Sequence, residues 1–136
     1  MALRRTYLDA GVLINAWQGE GDIAMRAMAV LDDPNREFVI SDFLRLETLP
    51  KPSFHKNSAE VDFMETIFSS AADFVATTAV LSSHAVQLAS TYDLSPIDAL
   101  HVSAALSAKV DDFITSEKST KPMFNVKGLN VTSLHN

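Results

Sequence analysis

Four carboxylates stand at the ends of short apolar runs. Asp9 follows Thr6-Tyr7-Leu8, Glu47 comes shortly after Ile40-Ser41, Asp98 follows Ser95-Pro96-Ile97, and Glu117 lies two residues past Thr115. Carboxylates brought within a few ångströms raise one another's pKa and resist joint ionisation. A divalent cation removes that conflict. An oxygen-only donor set with no cysteine suits Mg²⁺ or Mn²⁺, which keep several waters and take one or two carboxylates directly. Each acid also has a plainer role open to it. Asp9 is placed to cap the helix that follows it. Asp98 is the acid of a Ser95-x-x-Asp98 capping box, worth about 0.5–1 kcal/mol. Glu47 fits a boundary position and Glu117 a turn. The four together are more specific than any one of them.

The elements that position these acids follow from periodicity. Thr6–Leu8, Glu37–Ile40, Phe74–Thr77, Asp112–Thr115 and Gly128–Leu134 read as five short strands. Between them, apolar residues recur at helical spacing in Val12–Trp17, Ile23–Leu31, Phe43–Glu47, Asn57–Ala72, Val80–Tyr92 and Ser95–Lys109. Ser41, Ser58 and Ser95 are the expected N-caps, and Pro96 suits a first helical position. Pro50 and Pro52 are expected to end the short helix and to open an exposed loop reaching Asn57. Strands separated by helices imply right-handed crossovers, hence a mostly parallel sheet covered on both faces, a three-layer α/β/α class. Ligands bind such sheets beyond the carboxyl ends of the strands, where strand order reverses. All four acids map to that edge.

Composition narrows the function. A chain of 136 residues fits one domain, residues 1–136, that buries roughly two-thirds of its unfolded surface. Hydrophobic residues make up 47% and charged residues 21%, which rules out global disorder. The formal charge of −6 excludes metal-free nucleic-acid binding through a broadly basic surface. The lack of cysteine excludes disulfides, thiolate zinc sites, Fe–S clusters and a cysteine nucleophile. The four glycines build no phosphate-cradling loop. The N-terminus reaches a carboxylate at Asp9 without an apolar signal stretch, so a soluble, cytoplasmic protein with no membrane association is expected.

Tyr7-Leu8-Asp9-Ala10-Gly11-Val12-Leu13-Ile14, Ile40-Ser41 with Glu47, Asp98-Ala99-Leu100-His101-Val102-Ser103-Ala104-Ala105 and Phe113-Ile114-Thr115-Ser116-Glu117 together resemble the four ordered motifs of PIN domains. Bacterial toxins of the VapC type are similar. The resemblance spans nearly the whole chain. It implies a five-stranded parallel sheet and a metal-dependent endoribonuclease, the toxin of a toxin–antitoxin pair, with an antitoxin partner and a homodimeric state. Carried over by position, Asp9 and Asp98 are the principal ligands of Mg²⁺ or Mn²⁺, Glu47 is a ligand directly or through water, and Glu117 is the fourth acid. Thr115 matches the hydroxyl residue beside the metal. A metal-activated water would attack phosphorus in line, with no nucleophilic side chain required.

The chain departs from the family pattern at four positions. Ala10 and Gly11 stand where Thr or Ser and then a small polar residue are usual, removing a hydroxyl that would orient a ligand or phosphate. Glu117 replaces the usual Asp. Asp42, where Ser or Thr is common, is read as a helix cap. These changes also fit a catalytically silent PIN-like module that binds RNA or protein. His101 lies one turn after Asp98 and is read as a core histidine rather than as its partner. Arg45, Lys51, Lys56, Lys118 and Lys121 are the candidate RNA contacts, and Trp17, Phe43, Phe54 and Phe63 the candidate dimer or antitoxin surface.

Overall fold

The computed structural model describes residues 2–135. Five strands, β1 (Arg4–Leu8), β2 (Arg36–Ser41), β3 (Asp73–Val75), β4 (Asp112–Thr115) and β5 (Val131–Ser133), form one parallel sheet in the order β3-β2-β1-β4-β5. Successive strand residues point to opposite faces. Tyr7, Val39 and Phe113 therefore enter one core, and Leu8, Ile40 and Ile114 the other. Because both faces are covered, β1, β2 and β4 carry consecutive apolar residues, Tyr7-Leu8, Phe38-Val39-Ile40 and Phe113-Ile114, rather than strict alternation.

Among the described residues, seven α-helices flank the sheet. The first core is completed by α6 (Ala79–Tyr92) and α7 (Pro96–Ser107), through Leu81, Ala85, Leu88, Ala99, Val102 and Ala105. The second is completed by α1 (Ala10–Gln18), α2 (Gly21–Leu31) and α5 (Ser58–Ser69), through Val12, Leu13, Ala27, Met64 and Phe68. Between them, α3 (Asp42–Thr48) sends Phe43 into the first core and Leu44 into the second, which fixes its roll at the carboxyl end of β2. No helix among the described residues is long and apolar enough to cross a membrane.

Several local expectations need correction. Pro50–Phe54 is a short helix, α4, not a loop. Proline's missing N–H costs nothing in a first helical turn, so Pro50 at its start begins a helix instead of only ending α3. Asn57, not Ser58, caps α5, its side chain accepting the Glu60 N–H at 3.2 Å. Ala76 and Thr77 lie outside β3, and Thr78 caps α6. Asp42 is the first residue of α3 rather than its cap. Ser41 caps that helix, while Asp42 meets Arg45 at 3.6 Å and accepts the Thr77 hydroxyl at 3.0 Å.

Candidate active site

Strand order reverses at β1, with β2 on one side and β4 on the other. This leaves a crevice beyond their carboxyl ends. Leu8 is in register with Ile114, and the Asp9 N–H donates to the Ile114 carbonyl at 3.2 Å, so Asp9 and Thr115 emerge side by side. Asp9 caps α1, its Oδ1 accepting the Val12 N–H at 3.4 Å, while its Oδ2 accepts the Thr115 hydroxyl. Capping thus uses one carboxylate oxygen and the Thr115 hydroxyl the other. Asp9 is 9% exposed. Burial pushes its carboxyl up to about 6, with Glu47 pushing the same way, against the opposing pull of Thr115, His101 and the Val12 N–H.

Glu47 leaves the exposed side of α3, and its carboxylate meets His101 Nε2. Behind it runs a buried chain: His101 Nδ1 lies 2.6 Å from the Tyr7 hydroxyl, which lies 2.6 Å from Ser41 Oγ. Ser41 Oγ in turn accepts the Leu44 N–H. One direction satisfies every atom, with Ser41 donating to Tyr7, Tyr7 to Nδ1, and Nε2–H to Glu47. Burial above all holds the Tyr7 phenol protonated. His101 is 2% exposed, as expected of a core histidine, yet it reaches the site by pairing with Glu47. Tyr7 and Ser41 were not foreseen as members of this chain; a tyrosine in a strand buried on both faces, whose hydroxyl needs a partner, was the available signal.

Asp98 occupies the first turn of α7, its N–H donating to the Ser95 hydroxyl at 3.3 Å. Burial raises its carboxyl pKa, Glu117 and Glu47 raise it further, and Ser95 and His101 oppose them. Glu117 is tied in through its backbone: its N–H donates to Thr115 Oγ1 at 3.0 Å, the oxygen whose proton goes to Asp9. Its carboxylate stands 3.9 Å from Lys121 Nζ. Thr115 thus orients one acid by donating and the segment of another by accepting.

The fit to a metal rests on donor chemistry. Among the described residues, no three His, Asp or Glu side chains stand together in ligating geometry, and Glu47 is paired with His101. The donors are carboxylate oxygens, and two of them, Asp9 and Asp98, are held above their ordinary pKa mainly by burial. A hard divalent cation would relieve that cost, so the donor chemistry, though not a gathered ligand set, suits such an ion. Of the basic residues considered, Lys51 joins Glu47, His55 and Asn57 around a cavity of about 180 Å³. Arg45 is paired with Asp42 and Lys121 with Glu117, while Lys56 and Lys118 are exposed. Phe43 belongs to the core and Phe63 packs on Trp17 at 5.2 Å between ring centroids, which leaves Phe54, 81% exposed, and Trp17 as the surface aromatics of that set.

A parallel α/β/α sandwich with acidic residues spaced around the carboxyl ends of its central strands is the class that the fold defines. The chain belongs to the PIN domain family, which matches residues 6–120. Its fold is similar to that of a chain in the VapBC2 structure from Rickettsia felis bound to a DNA fragment from its promoter, at a TM-score of 0.72 and 15% identity, covering 95% of this chain and 98% of that one. It is also similar to a chain of a toxin–antitoxin complex from Klebsiella pneumoniae, at a TM-score of 0.71 and 18% identity, covering 96% and 98%. DNA-bound VapBC from Salmonella typhimurium gives 0.71 and 14%, covering 97% and 99%. No curated protein matches the chain.

Proposed function

We propose that the protein is a metal-dependent endoribonuclease, one domain acting as the toxin of a type II toxin–antitoxin pair in the cytoplasm. The observation that carries this reading is the placement of Asp9, Glu47, Asp98 and Glu117 at the carboxyl edge of a PIN-family sheet. Bound Mg²⁺ or Mn²⁺ supplies Lewis acidity at a phosphodiester and lowers the pKa of water. Asp9 and Asp98 hold the ion, Glu47 assists directly or through water, and Glu117 is the fourth acid. Thr115 fixes the Asp9 carboxylate, and His101 sets the rotamer of Glu47. The likeness to chains from toxin–antitoxin complexes supports a small antitoxin partner; a homodimeric state is part of the same proposal.

Purified protein is expected to cleave single-stranded or looped RNA with Mg²⁺ or Mn²⁺ and to stop when EDTA is added. Asp9→Asn and Asp98→Asn should each abolish cleavage. Metal-independent activity, or robust cleavage by both variants, sinks the assignment. A second reading, a catalytically silent RNA- or protein-binding module, is favoured by the closure of Glu47 onto His101. Calorimetric titration with Mn²⁺ separates the two: stoichiometric binding lost in Asp9→Asn supports the nuclease, and no binding supports the module.

A further inference from the structure

Gly11 lies in the first turn of α1, and glycine is a poorer helix former than alanine. It is not among the glycines with positive φ, so backbone freedom does not explain it. Space does. A Cβ at position 11 would lie 1.8 Å from Ser116 Oγ and 3.0 Å from Ser116 Cβ, and 3.4 Å from Asp9 Oδ1. The Ser116 side chain therefore crosses the start of α1 and fills the volume a side chain at position 11 would take, beside the Asp9 carboxylate. Thr115 and Ser133, its neighbours at this sheet edge, spend their hydroxyls on Asp9 and on the Glu117 carbonyl. Among the described residues, none engages the Ser116 hydroxyl. A neutral hydroxyl here offers a donor to an anionic oxygen without adding charge to a cleft already crowded with carboxylates.

We propose that Ser116 is a substrate-contacting residue of this site: its hydroxyl donates to a non-bridging oxygen of the RNA phosphate seated beside Asp9, and position 11 is glycine to admit it. The proposal rests on the ribonuclease reading. It also returns, from the end of β4, the hydroxyl that Ala10 and Gly11 lack after Asp9.

The test combines two measurements on the full chain. Binding of an end-labelled single-stranded RNA oligonucleotide is followed by fluorescence anisotropy in Ca²⁺, and cleavage of the same RNA is followed in Mn²⁺. Ser116→Ala should weaken binding and lower kcat/KM by about tenfold or more, as expected for a lost hydrogen bond to a charged group, with Tm and Mn²⁺ affinity unchanged. Gly11→Ala, whose methyl displaces Ser116 Oγ, should share the defect, and the double variant should be no worse. The exchange Gly11→Ser with Ser116→Gly puts a hydroxyl back into the same volume and should recover most of the loss. Wild-type behaviour of Ser116→Ala, or additive defects of the two single variants, overturns the proposal. If Gly11→Ala does not fold, Ser116→Ala and the exchange decide. A wild type that binds RNA in Ca²⁺ but never cleaves it removes the ribonuclease reading while leaving the binding comparison to judge Ser116.

Discussion

Two aspartates are buried at opposite ends of the same central strands, and they are treated in opposite ways. Asp112, at the amino end of β4, is 2% exposed and accepts hydrogen bonds from Arg4 at 2.8 Å, Arg36 at 2.9 and 3.2 Å, and Thr6 at 2.9 Å. Burial alone would raise its pKa, but the two guanidinium groups and the Thr6 hydroxyl outweigh burial and lower it. Asp9, at the carboxyl end of β1, receives only a hydroxyl and a backbone N–H, and burial wins. The first arrangement closes a sheet end with compensated charge. The second leaves a buried carboxylate with no cationic side chain bonded to it, the condition that the proposed metal-site role of Asp9 would use.

Exchanging each carboxylate for its neutral isostere is the strongest way to break this contrast. Asp9→Asn should cut RNA cleavage on the order of a thousandfold, the loss expected when a metal-centred stabilisation worth several kcal/mol is removed, yet melt higher than wild type without metal. Asp112→Asn should do the reverse, lowering Tm by roughly 5–10 °C because Arg36 and Arg4 lose their acceptor, while activity per folded molecule persists. The paired melts and cleavage assays fail the comparison if both variants lose stability alike.

Metal and pH sharpen it next. Mn²⁺ should raise the Tm of wild type, since it binds the folded state alone, and leave Asp9→Asn unmoved. In metal-free protein the folded Asp9 carboxyl, near 6, lies above its ordinary value of 3.8. The folded state therefore holds this proton more tightly, and charge at Asp9 costs stability above about pH 6. That cost, on the order of 2–3 kcal/mol, shrinks as pH falls through 6 and is gone below 3.8. The raised Asp98 adds in the same direction. Asp112 has the opposite sign: its stabilisation is full above its ordinary value and is lost as pH falls through its lowered one. Urea midpoints without metal should thus rise from pH 8 to about pH 5 and fall in stronger acid. A midpoint already falling between pH 8 and 6 contradicts the Asp9 assignment.

How much of this was legible in the chain depends on the kind of interaction. Asp112–Thr115 was readable as a strand to the residue, and Asp9 was readable as the cap of α1, because local pattern decides both. The start of α4 at Pro50 was not, since proline marks the end of one helix and the first turn of another equally well. The pairing of His101 with Glu47 instead of Asp98 depends on how α7 and α3 meet over the sheet, a tertiary fact that one-turn spacing does not carry. The same holds for Gly11, which looked like a lost hydroxyl until the end of β4 was seen to cross it.

The smallest effect is expected at the fourth acid. Two functions meet at Glu117 and belong to different atoms. Its backbone N–H orders Thr115, and its side chain, 45% exposed, faces Asp98's field and Lys121 at 3.9 Å. Glu117→Gln keeps the first and removes the second. An exposed ion pair at that distance contributes at most about 1 kcal/mol, so Tm should stay within a few degrees and cleavage should fall by about tenfold or less. Thr115→Val, which breaks the link from the Glu117 N–H to Asp9, should cost more than Glu117→Gln in the same assay. The reverse order would mean that the Glu117 carboxylate, rather than the Thr115 hydroxyl, does the greater part in holding the site, and would move the boundary between compensated and uncompensated acids outward to the surface.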